Sequence, residues 1–124
     1  MKSFDVYRCK ECGNMVLKVK HGGGTLSCCG ENMEKLEPNT VDAAVEKHVP
    51  VVTREDGRIR VDVGSTHHPM IPEHYIEWIA LVADDRVEFK YLEPGEEPVA
   101  DFEDAESGLI YEYCNIHGLW YTKF

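Results

Sequence analysis

The sequence predicts a mostly β protein: a small metal-stabilised N-terminal domain over residues 1–36, followed by a β-sandwich over residues 37–124. Three observations carry this reading. Four of the five cysteines crowd between Cys9 and Cys29, among few apolar residues. From Val41 onward, short runs that alternate apolar and polar are separated by turn residues, and no stretch of the chain holds a long helical period.

The first domain opens on Cys9-Lys10-Glu11-Cys12-Gly13 and continues through a short strand around Met15 to Val19. The flexible turn Gly22-Gly23-Gly24 leads to Cys28-Cys29-Gly30. So few apolar residues cannot hold a fold unaided, and a metal supplies what is missing. Leu36-Glu37-Pro38-Asn39-Thr40 reads as a linker, because proline and asparagine break the pattern and the composition changes after it.

In the second domain Val49–Thr53 and Ile59–Val63 flank Glu55-Asp56-Gly57, a hairpin turn with a glycine free to take positive φ. Tyr75–Val82 is a longer, more continuously apolar run that suits a central strand. Val87, Phe89 and Tyr91 alternate with Glu88 and Lys90, and Pro94-Gly95 then turns the chain. Leu109–Cys114 and Leu119–Thr122 supply two further strands around Gly118. Six or seven short strands of this kind predict a sandwich.

Thirteen basic against 23 acidic residues give a formal charge of −10, which disfavours nucleic acid and anionic membrane as partners. No apolar run reaches the length of a membrane span, and Met1-Lys2-Ser3-Phe4-Asp5 carries no leader-like apolar region, so a cytoplasmic protein is expected. An odd number of cysteines, two of them adjacent, argues for metal-bound thiolates over disulfides.

Cys9, Cys12, Cys28 and Cys29 form a closed set of four thiolates, the softness and number that select zinc or iron in tetrahedral geometry. With iron, such a site passes an electron but leaves no position for a substrate. Gly13 and Gly30 would let backbone N–H groups approach the sulfurs. The fifth cysteine lies in Cys114-Asn115-Ile116-His117-Gly118, where a thiolate and an imidazole share one tight turn. Further histidines stand in Glu46-Lys47-His48-Val49-Pro50, His68-Pro69-Met70 and His74-Tyr75-Ile76-Glu77-Trp78, at strand ends or turns where loops converge.

These motifs, in this order and over nearly the whole chain, resemble those of the desulfoferrodoxin family. The resemblance implies a desulforedoxin-like first domain with a rubredoxin-type iron on Cys9, Cys12, Cys28 and Cys29. It implies an immunoglobulin-like sandwich holding a second iron, with His48, His68, His74 and His117 in a plane and Cys114 axial. The cofactors are then two iron ions per chain, and the activity is one-electron reduction of superoxide to hydrogen peroxide. Lys47 is expected to attract superoxide and hold water for proton delivery, and Glu46 to be a sixth ligand of the oxidised resting state. A small donor such as rubredoxin and a homodimeric assembly are also implied. Because His67 adjoins His68, the ligand is assigned to His68, which precedes Pro69 as in the family; His67 stays nearby and His21 is placed on the surface. Tyr75, Ile76 and Trp78 are read as core packing, and no function attaches to the tail Tyr121–Phe124. Two rival readings remain: a superoxide dismutase, whose ligands need not differ, and a non-catalytic zinc module that binds a protein partner.

Overall fold

The structure, a computed structural model, is described for residues 4–124; Met1, Lys2 and Ser3, part of the predicted first domain, lie outside the described residues. The chain divides into two compact units, residues 4–37 and Pro38–Phe124, with the boundary in the proline-bearing stretch.

In the small unit, β1 (Asp5–Arg8) is central. It pairs antiparallel with β2 (Met15–Lys18) on one side, from Asp5↔Lys18 to Arg8↔Met15. A two-residue hairpin of β3 (Ser27–Cys28) and β4 (Glu31–Asn32) follows, and β5 (Glu34–Lys35) returns to the other side of β1. Among its described residues only Phe4, Val6 and Cys9 are buried hydrophobics. A unit with so little core depends on a metal for its stability.

The larger unit begins with one helical turn, α1 (Val45–His48), and continues as seven strands: β6 (Pro50–Glu55), β7 (Arg58–Val63), β8 (Ile76–Val82), β9 (Val87–Tyr91), β10 (Val99–Glu103), β11 (Leu109–Cys114) and β12 (Gly118–Lys123). They form two antiparallel sheets, β10-β7-β6 and β12-β11-β8-β9. The β6–β7 turn is a two-residue hairpin, with Asp56 at φ 50 and Gly57 at φ 73. Two successive positive φ values match the right-handed twist of the flanking strands.

Alternation decides which residues enter the core. Ile59, Val61 and Val63 of β7, with their neighbours Ala100 and Phe102 of β10, share one core with Ile79 and Leu81 of β8 and Ile110 and Cys114 of β11 in the other sheet. Each large aliphatic buried in this way contributes about 1.5–3 kcal/mol. Cys114 therefore presents its sulfur from the floor of the core. A bulge assists it: the β11–β8 register passes from Tyr113↔Trp78 to Cys114↔Ile76, skipping Glu77 and turning Ile76 inward.

Three features differ from the sequence reading. Strand β10 was not anticipated, since only Ala100 and Phe102 point inward and Pro98 precedes them. The apolar residues of β9 are partly exposed, Val87 40%, Phe89 38% and Tyr91 76%, because they share the side of the sheet that carries Trp78 and Ala80 rather than the core side of Ile79 and Leu81. The tail is structural: β12 runs to Lys123, and Phe124 exchanges backbone hydrogen bonds with Gly108 and packs on the core.

Candidate metal centres

The five side chains His48, His68, His74, Cys114 and His117 come from four separate turns, yet their ligand atoms all lie within 4.8 Å of one another. Neighbouring imidazole centroids are 4.7 Å (His48–His68), 4.5 Å (His68–His74), 5.0 Å (His74–His117) and 4.8 Å (His117–His48) apart, each pair nearly perpendicular. The His48–His74 separation of 6.5 Å is close to the diagonal of a square with those sides. The buried Cys114 Sγ lies 3.4 Å from His68 Nε2 and 4.0 Å from His117 Nδ1, at two opposite corners.

The backbone decides which nitrogen faces inward. His48 Nδ1 is 2.7 Å from the Ala44 carbonyl and His68 Nδ1 is 2.7 Å from the Pro69 carbonyl. A carbonyl only accepts, so each Nδ1 carries the proton and each Nε2 offers a lone pair. Those two lone pairs meet at 3.2 Å, and His117 Nδ1 is 3.0 Å from His48 Nε2. The Nε2 of His74 is buried without a hydrogen-bond partner. Burial lowers the pKa of His48 and His74 and takes His68 down to about 4, so these rings are neutral at pH 7. Neutral lone pairs converging on one point repel unless a cation joins them, so the residues fit a metal ion.

Other contacts fix the cluster. Asn115 Oδ1 accepts the Tyr75 N–H at 2.9 Å and its amide donates to the Glu73 carbonyl at 3.0 Å, tying the Cys114–His117 turn to the His74 loop. The His117 N–H points at Cys114 Sγ at 3.4 Å. Trp120 lies 5.0 Å from the His48 ring and donates its indole N–H to the His117 carbonyl. Two residues before Cys114, Glu112 is fully buried, and burial holds its carboxyl well above the usual range. Sequence reasoning missed these supports, because carbonyl acceptors and non-local packing leave no mark in residue type.

The second set, Cys9, Cys12, Cys28 and Cys29, also brings its ligand atoms within 4.8 Å of one another. Cys12 Sγ is 3.6 Å and Cys29 Sγ 3.8 Å from Cys28 Sγ. The adjacent pair can converge because Cys29 adopts a left-handed φ of 53, which re-aims its side chain. Backbone N–H groups of Cys12 and Glu11 bring the Cys9 thiol down to about 7, whereas the neighbouring thiols, Cys12 first, push Cys29 up to about 12. Gly13 at φ 83 shapes this turn, but its own N–H goes to the Cys9 carbonyl at 2.9 Å. A full set of thiolates is thus held back until a cation balances it.

Glu46 and Lys47 are exposed on α1, directly before His48, and Glu46 is not among the converging ligand atoms. Burial first, then the neighbouring His117 and the positive charge of Lys47, lower the His74 pKa. His67 turns away from the cluster to bond Asp62 at 3.0 Å. His21 is half exposed and bonds Asp5 at 2.6 Å.

A β-sandwich with four imidazoles and a thiolate converging on one point, joined to a four-cysteine unit, defines a metalloprotein with two mononuclear centres. Residues 40–123 match the desulfoferrodoxin family, and residues 1–36 match the family of the desulfoferrodoxin N-terminal domain. The chain belongs to the desulfoferrodoxin family. It is 49% identical over 116 residues to the desulfoferrodoxin of Desulfarculus baarsii, covering 93% of this chain and 92% of that one. It is 40% identical over 95 residues to the superoxide reductase of Pyrococcus abyssi, covering 60% of this chain and 83% of that one. The crystal structure of the superoxide reductase from Treponema pallidum superposes with a TM-score of 0.78 at 31% identity, covering 98% of this chain and 99% of that one. The set of four cysteines and the set of four histidines with one cysteine match the two iron centres of desulfoferrodoxin.

Proposed function

We propose that this chain is a superoxide reductase in which His48, His68, His74, His117 and Cys114 hold the catalytic iron, and Cys9, Cys12, Cys28 and Cys29 hold an auxiliary electron-transfer iron. The observation that carries the reading is the square of four imidazoles closed from the core by the buried Cys114. Bound there, iron supplies the one-electron couple, and the net reaction is one superoxide, one electron and two protons giving one hydrogen peroxide.

The residues of the chain supply the rest. Ala44 and Pro69 keep the ring protons of His48 and His68 on the outward nitrogens. The His117 N–H moderates the charge on Cys114 Sγ. Lys47 offers a local positive field in a chain of formal charge −10, attracts the anionic substrate and holds water for proton delivery. Glu46 serves as the carboxylate ligand of the oxidised resting state, which suits a hard anionic oxygen and a more highly charged ion.

The donor is a small electron-carrier protein such as rubredoxin. Three exposed apolar residues next to ligand turns, Val45, Ile71 and Ile116, offer such a partner a contact surface. The assembly is a homodimer, by resemblance. Among the described residues no helix is long and apolar enough to cross a membrane, and the five free cysteines suit the reducing cytoplasm. Metal analysis with a visible spectrum tests the reading: two iron ions per chain and strong ferric–thiolate absorption are expected, whereas colourless protein containing zinc would replace it with the zinc-module reading.

A further inference from the structure

The turn that carries Glu46 and Lys47 is braced from behind by a segment with no ligand in it. The Glu46 carbonyl accepts the Thr66 N–H at 2.9 Å and lies 3.3 Å from Ser65 Oγ. Within the segment, Gly64 N–H points to the Thr66 carbonyl at 3.3 Å, and the His68 N–H is bonded to the Val63 carbonyl at 2.8 Å. The brace therefore runs straight into ligand His68. Across its base, Asp62 accepts from His67 at 3.0 Å, which gives that histidine a structural use.

Gly64 marks how close the contact is. A Cβ there would stand 2.7 Å from the Glu46 carbonyl oxygen and 2.9 Å from that of Val49. Both atoms are backbone, so no side chain can swing aside, and any substitution must push α1 away. Within the turn itself, the carbonyl of the N-cap residue Ala44 receives the Lys47 N–H at 3.1 Å and His48 Nδ1 at 2.7 Å.

We propose that Gly64, Ser65 and Thr66 form a positioning brace that sets where Glu46 and Lys47 stand relative to the His48–His68 edge of the catalytic centre. The brace acts on Lys47 through the Glu46 backbone; none of its residues touches substrate. This rests on the role given to Lys47 above.

The experiment compares iron-loaded Gly64→Ala, Ser65→Ala, Ser65→Thr, Lys47→Ile and Gly108→Ala with the parent protein. Gly108→Ala is the strain control, since a Cβ there would meet the Val82 carbonyl oxygen at 2.5 Å just before β11, at the end of that strand opposite to Cys114. Two quantities are read: hydrogen exchange by mass spectrometry over the peptide spanning Ser65 to His67, and the ionic-strength dependence of the second-order reaction of the reduced protein with superoxide. In Gly64→Ala the Thr66 amide is expected to exchange about tenfold faster, with the salt dependence falling toward that of Lys47→Ile. Ser65→Ala should move both quantities less and in the same direction, and Ser65→Thr should restore them; this pair decides the matter if Gly64→Ala does not fold. Gly108→Ala should leave both unchanged. Parent-like exchange and salt dependence in Gly64→Ala and Ser65→Ala, or equal changes in Gly108→Ala, would overturn the brace. Faster Thr66 exchange with an unchanged reaction would overturn its positioning role. If Lys47→Ile itself behaved as the parent, the role of Lys47 would be at fault, and the positioning claim would fall with it.

Discussion

The side-chain oxygen of Asn115 accepts the backbone N–H of Tyr75 at 2.9 Å, joining the turn of Cys114 and His117 to the loop of His74 across 40 residues of sequence. A second bond, from the Asn115 amide to the Glu73 carbonyl, completes the tie. Asn115→Ala removes both bonds, at about 1 kcal/mol each. The variant is expected to lose catalytic iron to a chelator faster than the parent while the four-cysteine centre keeps its absorption. Equal loss rates would show that the ligand turns hold their places without Asn115.

Glu46→Ala tests the resting-state ligand. The oxidised visible spectrum of the catalytic centre should change, since water or hydroxide takes the place of the carboxylate. The first encounter of the reduced protein with superoxide should be nearly unaffected. A pH titration of the oxidised spectrum checks this, and a parent-like spectrum at every pH would reduce Glu46 to a solvated neighbour of Lys47.

The cysteine and histidine motifs were legible because ligand chemistry allows few residue types, and the β6–β7 hairpin because Asp56-Gly57 tolerates positive φ at both positions. Strand β10 was hidden by its two inward residues, Ala100 and Phe102, and by the preceding Pro98. The open apolar face of β9 could not be foreseen, since alternation reveals a strand's two faces but not whether another element covers one of them. Nor could the brace at Gly64 or the carbonyls of Ala44 and Pro69, because every residue has a carbonyl and only the fold selects which one meets an imidazole.

Stability toward acid should depend on Asp62. The hydrogen bond from Arg60 holds its carboxyl below the usual carboxylate range, and His67 adds to the effect. A carboxylate with a lowered folded pKa stabilises the fold above its unfolded value of about 3.9, and that contribution is lost as pH falls through the folded value. Asp62→Asn is expected to lower stability at pH 7 by at most about 1 kcal/mol, because the pair is partly open to water. The difference from the parent should vanish in acid. Denaturant midpoints of both proteins at neutral and acid pH check the sign; a gap that widened as the pH fell would contradict it.

Cys12→Ser separates the two centres. Losing one thiolate of the four should abolish the rubredoxin-type absorption and destabilise the small unit, whose buried hydrophobics number so few. The pre-reduced catalytic iron should still react with superoxide at the parent rate. Loss of that reaction with the catalytic iron fully loaded would place the chemistry at the wrong site.

The most direct measurement gives the reduced protein a known pulse of superoxide and counts both hydrogen peroxide and dioxygen. A reductase consumes one electron from the protein for each superoxide, so one hydrogen peroxide per superoxide is expected, with no dioxygen and with matching oxidation of the iron. One dioxygen and one hydrogen peroxide for every two superoxides, with the iron unchanged at the end, would mark a dismutase and contradict the account.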